Sequence, residues 1–294
     1  MDKANYVIIS EATSDLAPEL ARQADVHIIP MPVGVEEDSY LYSPIPEDGN
    51  IDTETFYALQ KAGKSVHTSQ INGAVYNEVF QKYLQEGYDI LYIGFSSGLS
   101  NSVLAGDNCL KELAQQYPDR RMYCVDSLSA SVGEGMLLYA AAKKRQAGMD
   151  IDTLYAWVEE NKLHFCHWFT VDDLSYLRRG GRISATSATL GTVIQIKPVM
   201  HVDNEGHLIN VAKAHGRKKA MLAMAEMMQK TWLPDADTTV FIGHGACPED
   251  AEALRQMVLQ RCPRAEITIM PIGPIIGAHS GVGTLALFFF GTER

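Results

Sequence analysis

Through the first half of the chain, short apolar runs alternate with stretches of helical spacing. Tyr6–Ser10, Val26–Val33, Ile90–Phe95 and Met122–Val125 read as strands. Glu19–Ala24, Glu54–Ala62, Ala74–Gln85, Val103–Tyr117 and Glu134–Gln146 carry apolar positions at the spacing of amphipathic helices. This alternation predicts a parallel sheet with helices on both faces, and in such sheets ligands sit at the carboxyl ends of the strands. Two Ser/Thr-rich loops fall there: Ser10-Glu-Ala-Thr13-Ser14-Asp15 and Ser96-Ser97-Gly98-Leu99-Ser100-Asn101. Pro30–Ile51 is the longest stretch without a regular period.

Near residue 165 the pattern changes. Thr170 with Asp173 reads as a capping box, Leu174 and Leu177 as an apolar stripe, and Gly180 as the residue just past the end of a short helix. Lys197–Val202, the turn Asp203–Gly206 and His207–Ala212 read as a β-hairpin. A Met-rich helix (Arg217–Lys230), a strand (Thr239–Gly243), a helix (Pro248–Gln260) and a strand (Glu266–Met270) follow. The expected fold is α/β in two domains: residues 1–164 around the parallel sheet and residues 165–294 around a mixed sheet.

The 294 residues are enough for two cores, and 46% apolar with 21% charged residues is the make-up of a globular chain. A formal net charge of -11 without a Lys/Arg run excludes a nucleic-acid surface, so an anionic ligand needs a local, buried site. The five cysteines are scattered and suggest neither a disulfide framework nor a zinc site. The opening Met-Asp-Lys-Ala-Asn lacks a signal-peptide pattern and no apolar run approaches the roughly 20 residues of a membrane span, so a cytoplasmic protein is expected.

Chemistry concentrates in a few places. Gly273-Pro-Ile-Ile-Gly-Ala-His279-Ser-Gly-Val-Gly283 reads as a glycine-rich turn that fixes one imidazole before an apolar C-terminal strand. Thr68-Ser69-Gln70 reads either as an N-cap for the helix near Ala74 or as a set of donors to an anion; the same two readings apply to Ser97-Gly-Leu-Ser100. His164 and His167 fall on opposite sides of a strand and read as structural, Arg182 as an ion-pair or ligand residue, and Arg217-Lys-Lys219 as a helix start. The chain lacks a P-loop, a GxSxG elbow, an HExxH and a CxxC.

Taken in order, Ile9–Leu16, Thr68-Ser-Gln70, Ser97-Gly-Leu-Ser100, Val125-Asp-Ser127, Leu174–Ser184, Ile196-Lys-Pro-Val199 and Ile272–His279 resemble the DegV family of bacterial fatty-acid-binding proteins. The resemblance implies a two-domain α/β carrier that encloses one long-chain fatty acid between its domains, the second domain closing the lipid tunnel. It also implies a partner fatty-acid kinase of the dihydroxyacetone-kinase type, which phosphorylates the carboxylate with its own ATP and magnesium. By that pattern Thr68 and Ser100 contact the carboxylate and His279 belongs to the same network. The full ligand-binding set expected is Thr68, Ser69, Gly98, Leu99, Ser100, Arg182, Gly277 and His279, with Arg217 in the partner surface. Glu11-Ala12 departs from the family, which usually has Asp-Ser there. No catalytic residue, metal or cofactor of its own is expected; the competing reading is an acyl- or phosphoryl-transferase or hydrolase with Ser100 as nucleophile and His279 as base.

Overall fold

The computed structural model describes residues 5–183 and 196–294. Ser184, the last residue of one matching motif, lies outside them. In chain order the elements are β1 (Tyr6–Glu11), α1 (Pro18–Ala24), β2 (His27–Ile29), β3 (Met31–Val35), β4 (Asp38–Tyr42), α2 (Thr53–Lys61), β5 (Val66–Thr68), α3 (Gly73–Gln85), β6 (Asp89–Gly94), α4 (Ser102–Ala114), β7 (Met122–Asp126), α5 (Val132–Gln146) and α6 (Ile151–Asn161). They continue with β8 (Phe165–Thr170), α7 (Ser175–Arg179), β9 (Ile196–Val202), β10 (Leu208–His215), α8 (Arg217–Thr231), β11 (Thr239–His244), α9 (Pro248–Arg261), β12 (Glu266–Pro271), α10 (Pro274–Ser280) and β13 (Leu285–Phe290).

β2, β1, β6 and β7 form the expected parallel sheet in that order. Every residue of β1 is buried, as is β6 from Ile90 to Gly94, which is what a sheet covered on both faces requires. One helical layer is α3 with α4, the other α5 with α1 and α6. The second sheet, ordered β10-β9-β8-β13-β11-β12, is mixed: β11 and β12 run parallel and the other pairs antiparallel. All its strands come from beyond residue 164.

Several expectations change. Val26–Val33 is two strands, because Pro30 offers no N–H for a ladder and the chain leaves the parallel sheet there. β3 then pairs antiparallel with β4 and β5 in a third, three-stranded sheet, so Pro30–Ile51 is not irregular. Thr170 belongs to β8, not to a capping box; the start of α7 is held by Asp173, whose carboxylate accepts from the Ser175 N–H at 2.8 Å. The left-handed residue after α7 is Gly181, at φ +72°, instead of Gly180. Gly273–Gly283 is mostly not a turn: Pro at the first position and Gly281 past the end bracket α10, a helix.

Candidate functional site

One cavity, about 140 Å³, opens at the carboxyl ends of β1, β6 and β7 and is completed by the mixed sheet and α10. Its apolar lining comes from both sides, with Phe95 and Leu99 after β6, Phe169 of β8, Val202 and Leu208 flanking the β9–β10 turn, and Phe288 of β13. Its polar lining gathers Thr68, Ser69, Gln70, Ser100, Arg182 and His279.

Thr68 ends β5, opposite Val33 of β3, and its hydroxyl lies 2.8 Å from His279 Nε2 on α10. The N-cap of α3 is Asn72, whose side chain accepts from the Val75 N–H at 3.1 Å, so Thr68-Ser69-Gln70 is not that cap. Burial, and after it the charge of Arg182, hold the His279 imidazole down to about 4, so it is neutral near pH 7. Ser100 sits in a loop folded over Ser96, whose carbonyl accepts from both the Leu99 and Ser100 N–H groups at 3.1 Å. Ser100 Oγ takes the Ser102 N–H at 3.2 Å and faces Gln70 Nε2 at 3.4 Å. The N-cap of α4 is Asn101 instead of Ser100; Ser100, one residue earlier, accepts from the first helical N–H and stands in the cavity wall. Arg182, half-buried, is the one Lys or Arg among the described residues lining the cavity.

Gly98 and Gly277, expected to touch a ligand, stand outside this lining. A Cβ on Gly98 would lie 2.8 Å from the carbonyls of Glu205 and Gly206, so glycine serves the approach of the β9–β10 turn. A Cβ on Gly277 would lie 2.6 Å from the Tyr57 hydroxyl, so glycine there lets α10 pack on α2. Arg217 is not a freely presented charge: its Nε donates to Asp250 at 2.8 Å and its Nη1 lies 3.7 Å from Asp172, whereas Lys218 and Lys219 are exposed. His164 Nδ1–H donates to the Gly291 carbonyl at 2.8 Å, away from any shared site with His167. His167, read as structural, does line the cavity, as do Thr13, Ser131 and Ser280. Alternation along β8 was the available signal, since it puts His167 and Phe169 on one face.

Ser100 and His279 are bonded to other partners, Gln70 and Ser102 in one case and Thr68 in the other. Nδ1 of His279 packs against Gly180. The arrangement offers hydroxyls, a neutral imidazole and a guanidinium to an anionic ligand. Among the described residues no group of three or more His, Cys, Asp or Glu is placed to hold a metal ion, and no helix is long and apolar enough to cross a membrane.

The DegV family, described as uncharacterised proteins, matches residues 5–292. The chain belongs to the DegV family. A DegV domain-containing protein of Clostridium perfringens is 39% identical over 293 residues, covering 98% of each chain. A DegV lipid-binding protein from Thermotoga maritima superposes with a TM-score of 0.83 at 26% identity, covering 98% of this chain and 99% of that one. A second Thermotoga maritima protein, whose structure reveals a fatty acid binding function, gives 0.79 at 26% identity over 97% and 98% of the two chains. These similarities span all three sheets of this DegV-family chain.

Proposed function

We propose that the chain binds one long-chain fatty acid, with its carboxylate among Thr68, Ser100, Arg182 and His279 and its tail along the apolar remainder of the cavity. The observation that carries this reading is one cavity whose lining joins the polar side chains of Thr68, Ser100, Arg182 and His279 to apolar side chains such as Phe95, Leu99, Phe169 and Phe288. Burying about fifteen methylenes at roughly 0.8 kcal/mol each is worth on the order of 12 kcal/mol before ordering costs, so the tail dominates affinity and the head group fixes orientation. Residues 1–164 and 165–294 act as the two domains that close on the lipid.

The further step rests on the family resemblance: the protein is a cytoplasmic carrier, not an enzyme, and presents the carboxylate to a fatty-acid kinase of the dihydroxyacetone-kinase type that brings ATP and magnesium. Arg217, held by Asp250, shapes the helix start at the docking surface, where Lys218 and Lys219 supply exposed charge. Denaturing extraction and lipid mass spectrometry of the purified protein should find a near-stoichiometric acid of about C14 to C18, a range that follows from the family resemblance and from the need to bury about that much chain for tight binding. Empty protein that also refuses palmitate and oleate would sink the binding reading. Loaded protein that a cognate kinase leaves unphosphorylated would remove only the carrier step.

A further inference from the structure

Glu11, the last residue of β1, is fully buried and does not line the cavity. Its Oε1 accepts from the Tyr92 hydroxyl at 2.5 Å and its Oε2 from the Ser102 hydroxyl at 2.6 Å. The Tyr76 hydroxyl closes the group, 2.9 Å from Ser102 Oγ and 3.1 Å from the Tyr92 hydroxyl. Ser102 is the first residue of α4, so this carboxylate ties the start of that helix to the end of a central strand. The N–H of the same residue is one of the helix-start donors that lack a partner within the helix, and it points at Ser100 Oγ.

The consequence falls on Ser100. A hydroxyl has two lone pairs and one proton. The Ser102 N–H occupies one lone pair and Gln70 Nε2, at 3.4 Å, approaches the other. What Ser100 has left for a ligand is its proton, so it meets an acceptor better than a donor, and a carboxylate best of all. We infer that Glu11 is a positioning residue: through Ser102 it fixes Ser100 as a donor and so sets the preference for an acid head group over an alcohol of the same length. This rests on the fatty-acid reading of the cavity.

The test compares palmitate with hexadecanol on the full chain carrying Glu11→Gln or Ser102→Ala, each confirmed to be folded by its thermal transition. Glu11→Gln keeps the side-chain size but cannot accept from both hydroxyls; Ser102→Ala removes the link and leaves Glu11 with Tyr92. Both variants should bind palmitate about tenfold more weakly while hexadecanol changes by less than about twofold, a difference of at least about 1 kcal/mol between the two ligands. Removing a purely structural contact would weaken the two ligands equally. A parent protein that takes up neither lipid overturns the fatty-acid reading and this assignment with it. A parent that binds palmitate, with an acid-to-alcohol ratio unchanged in the folded variants, overturns the assignment alone.

Discussion

The molecule holds a second cavity that is larger than the first, about 350 Å³ against about 140 Å³, and the contrast between them shows what makes a hollow a site. The second is walled by Pro18, Pro44, Pro46, Pro271 and Tyr42, and three of its polar side chains are taken by nearby backbone. Asp52 caps α2 through the Thr55 N–H at 2.6 Å, Asn50 accepts from the Leu41 N–H at 2.6 Å, and Ser43 from the Ile45 N–H at 3.1 Å. These groups hold turns together. In the first cavity Thr68 and His279 come from segments 211 residues apart, and Gln70 faces Ser100 from 30 positions away. What sets the first cavity apart is that its polar lining is assembled from distant segments, the end of β5, the loop after β6 and α10.

The largest test of that contrast is to fill each hollow. Ile276→Trp puts bulk into the first cavity and should cost more than about a hundredfold in palmitate affinity. Ala17→Leu, in the wall of the second, should leave palmitate affinity within about twofold. Equal losses in fluorescence displacement titrations would show that the two cavities are not functionally distinct.

Serine truncation is the next step down. Ser100→Ala should weaken palmitate binding by about 1–3 kcal/mol, the worth of a bond to a charged group. Ser43→Ala should leave binding alone and instead lower folding stability by about 1 kcal/mol, because it orphans the Ile45 N–H. Calorimetric titration and urea melts separate the two outcomes, and a binding loss in Ser43→Ala would contradict the division.

A third test is a difference in pH response. His279 titrates near 4 in the fold instead of 6.5, so between those values the unfolded chain binds a proton that the folded chain does not, and stability falls as pH falls through that window. Asp15, in the wall of the second cavity, has the opposite sign. Burial raises its carboxyl from 3.8 to about 8 despite the Ser131 hydroxyl at 2.7 Å, so its contribution is full below 3.8 and is lost as pH rises towards 8. In urea midpoints taken from pH 4 to 8, His279→Gln should flatten part of the acid-side fall and Asp15→Asn the loss at higher pH. His27, His167, His201 and His244, all pushed down chiefly by burial, keep the remainder of the acid-side slope. Identical pH profiles for the two variants would refute the opposed signs.

Much of this was legible in the chain itself. The parallel strands, the helices between them and the β9–β10 hairpin follow from apolar period and turn chemistry, which involve residues close together in sequence. Thr68, Ser100, Arg182 and His279 stood out by residue type and motif, and all reach the cavity wall. The small sheet of β3, β4 and β5 was hidden because β4, Asp38–Tyr42, is mostly exposed and offers little apolar alternation. α10 was hidden because its glycines, read singly, signal a turn; Pro274 and Gly281 mark a short helix only when read as a pair.

By itself, then, the sequence determined the α/β layering, the strands whose carboxyl ends carry the polar loops, and the residue types available to an anionic head group, because each depends on neighbours within a few positions. Only the tertiary structure decided that Thr68 meets His279 and that Gly98 and Gly277 serve packing. It also decided that Arg217 is held by Asp250, and that Glu11 reaches Ser102 across 91 positions. Those outcomes depend on which strands lie side by side and how two sheets face one another, a long-range order that burial of both sheets imposes and that no local period encodes.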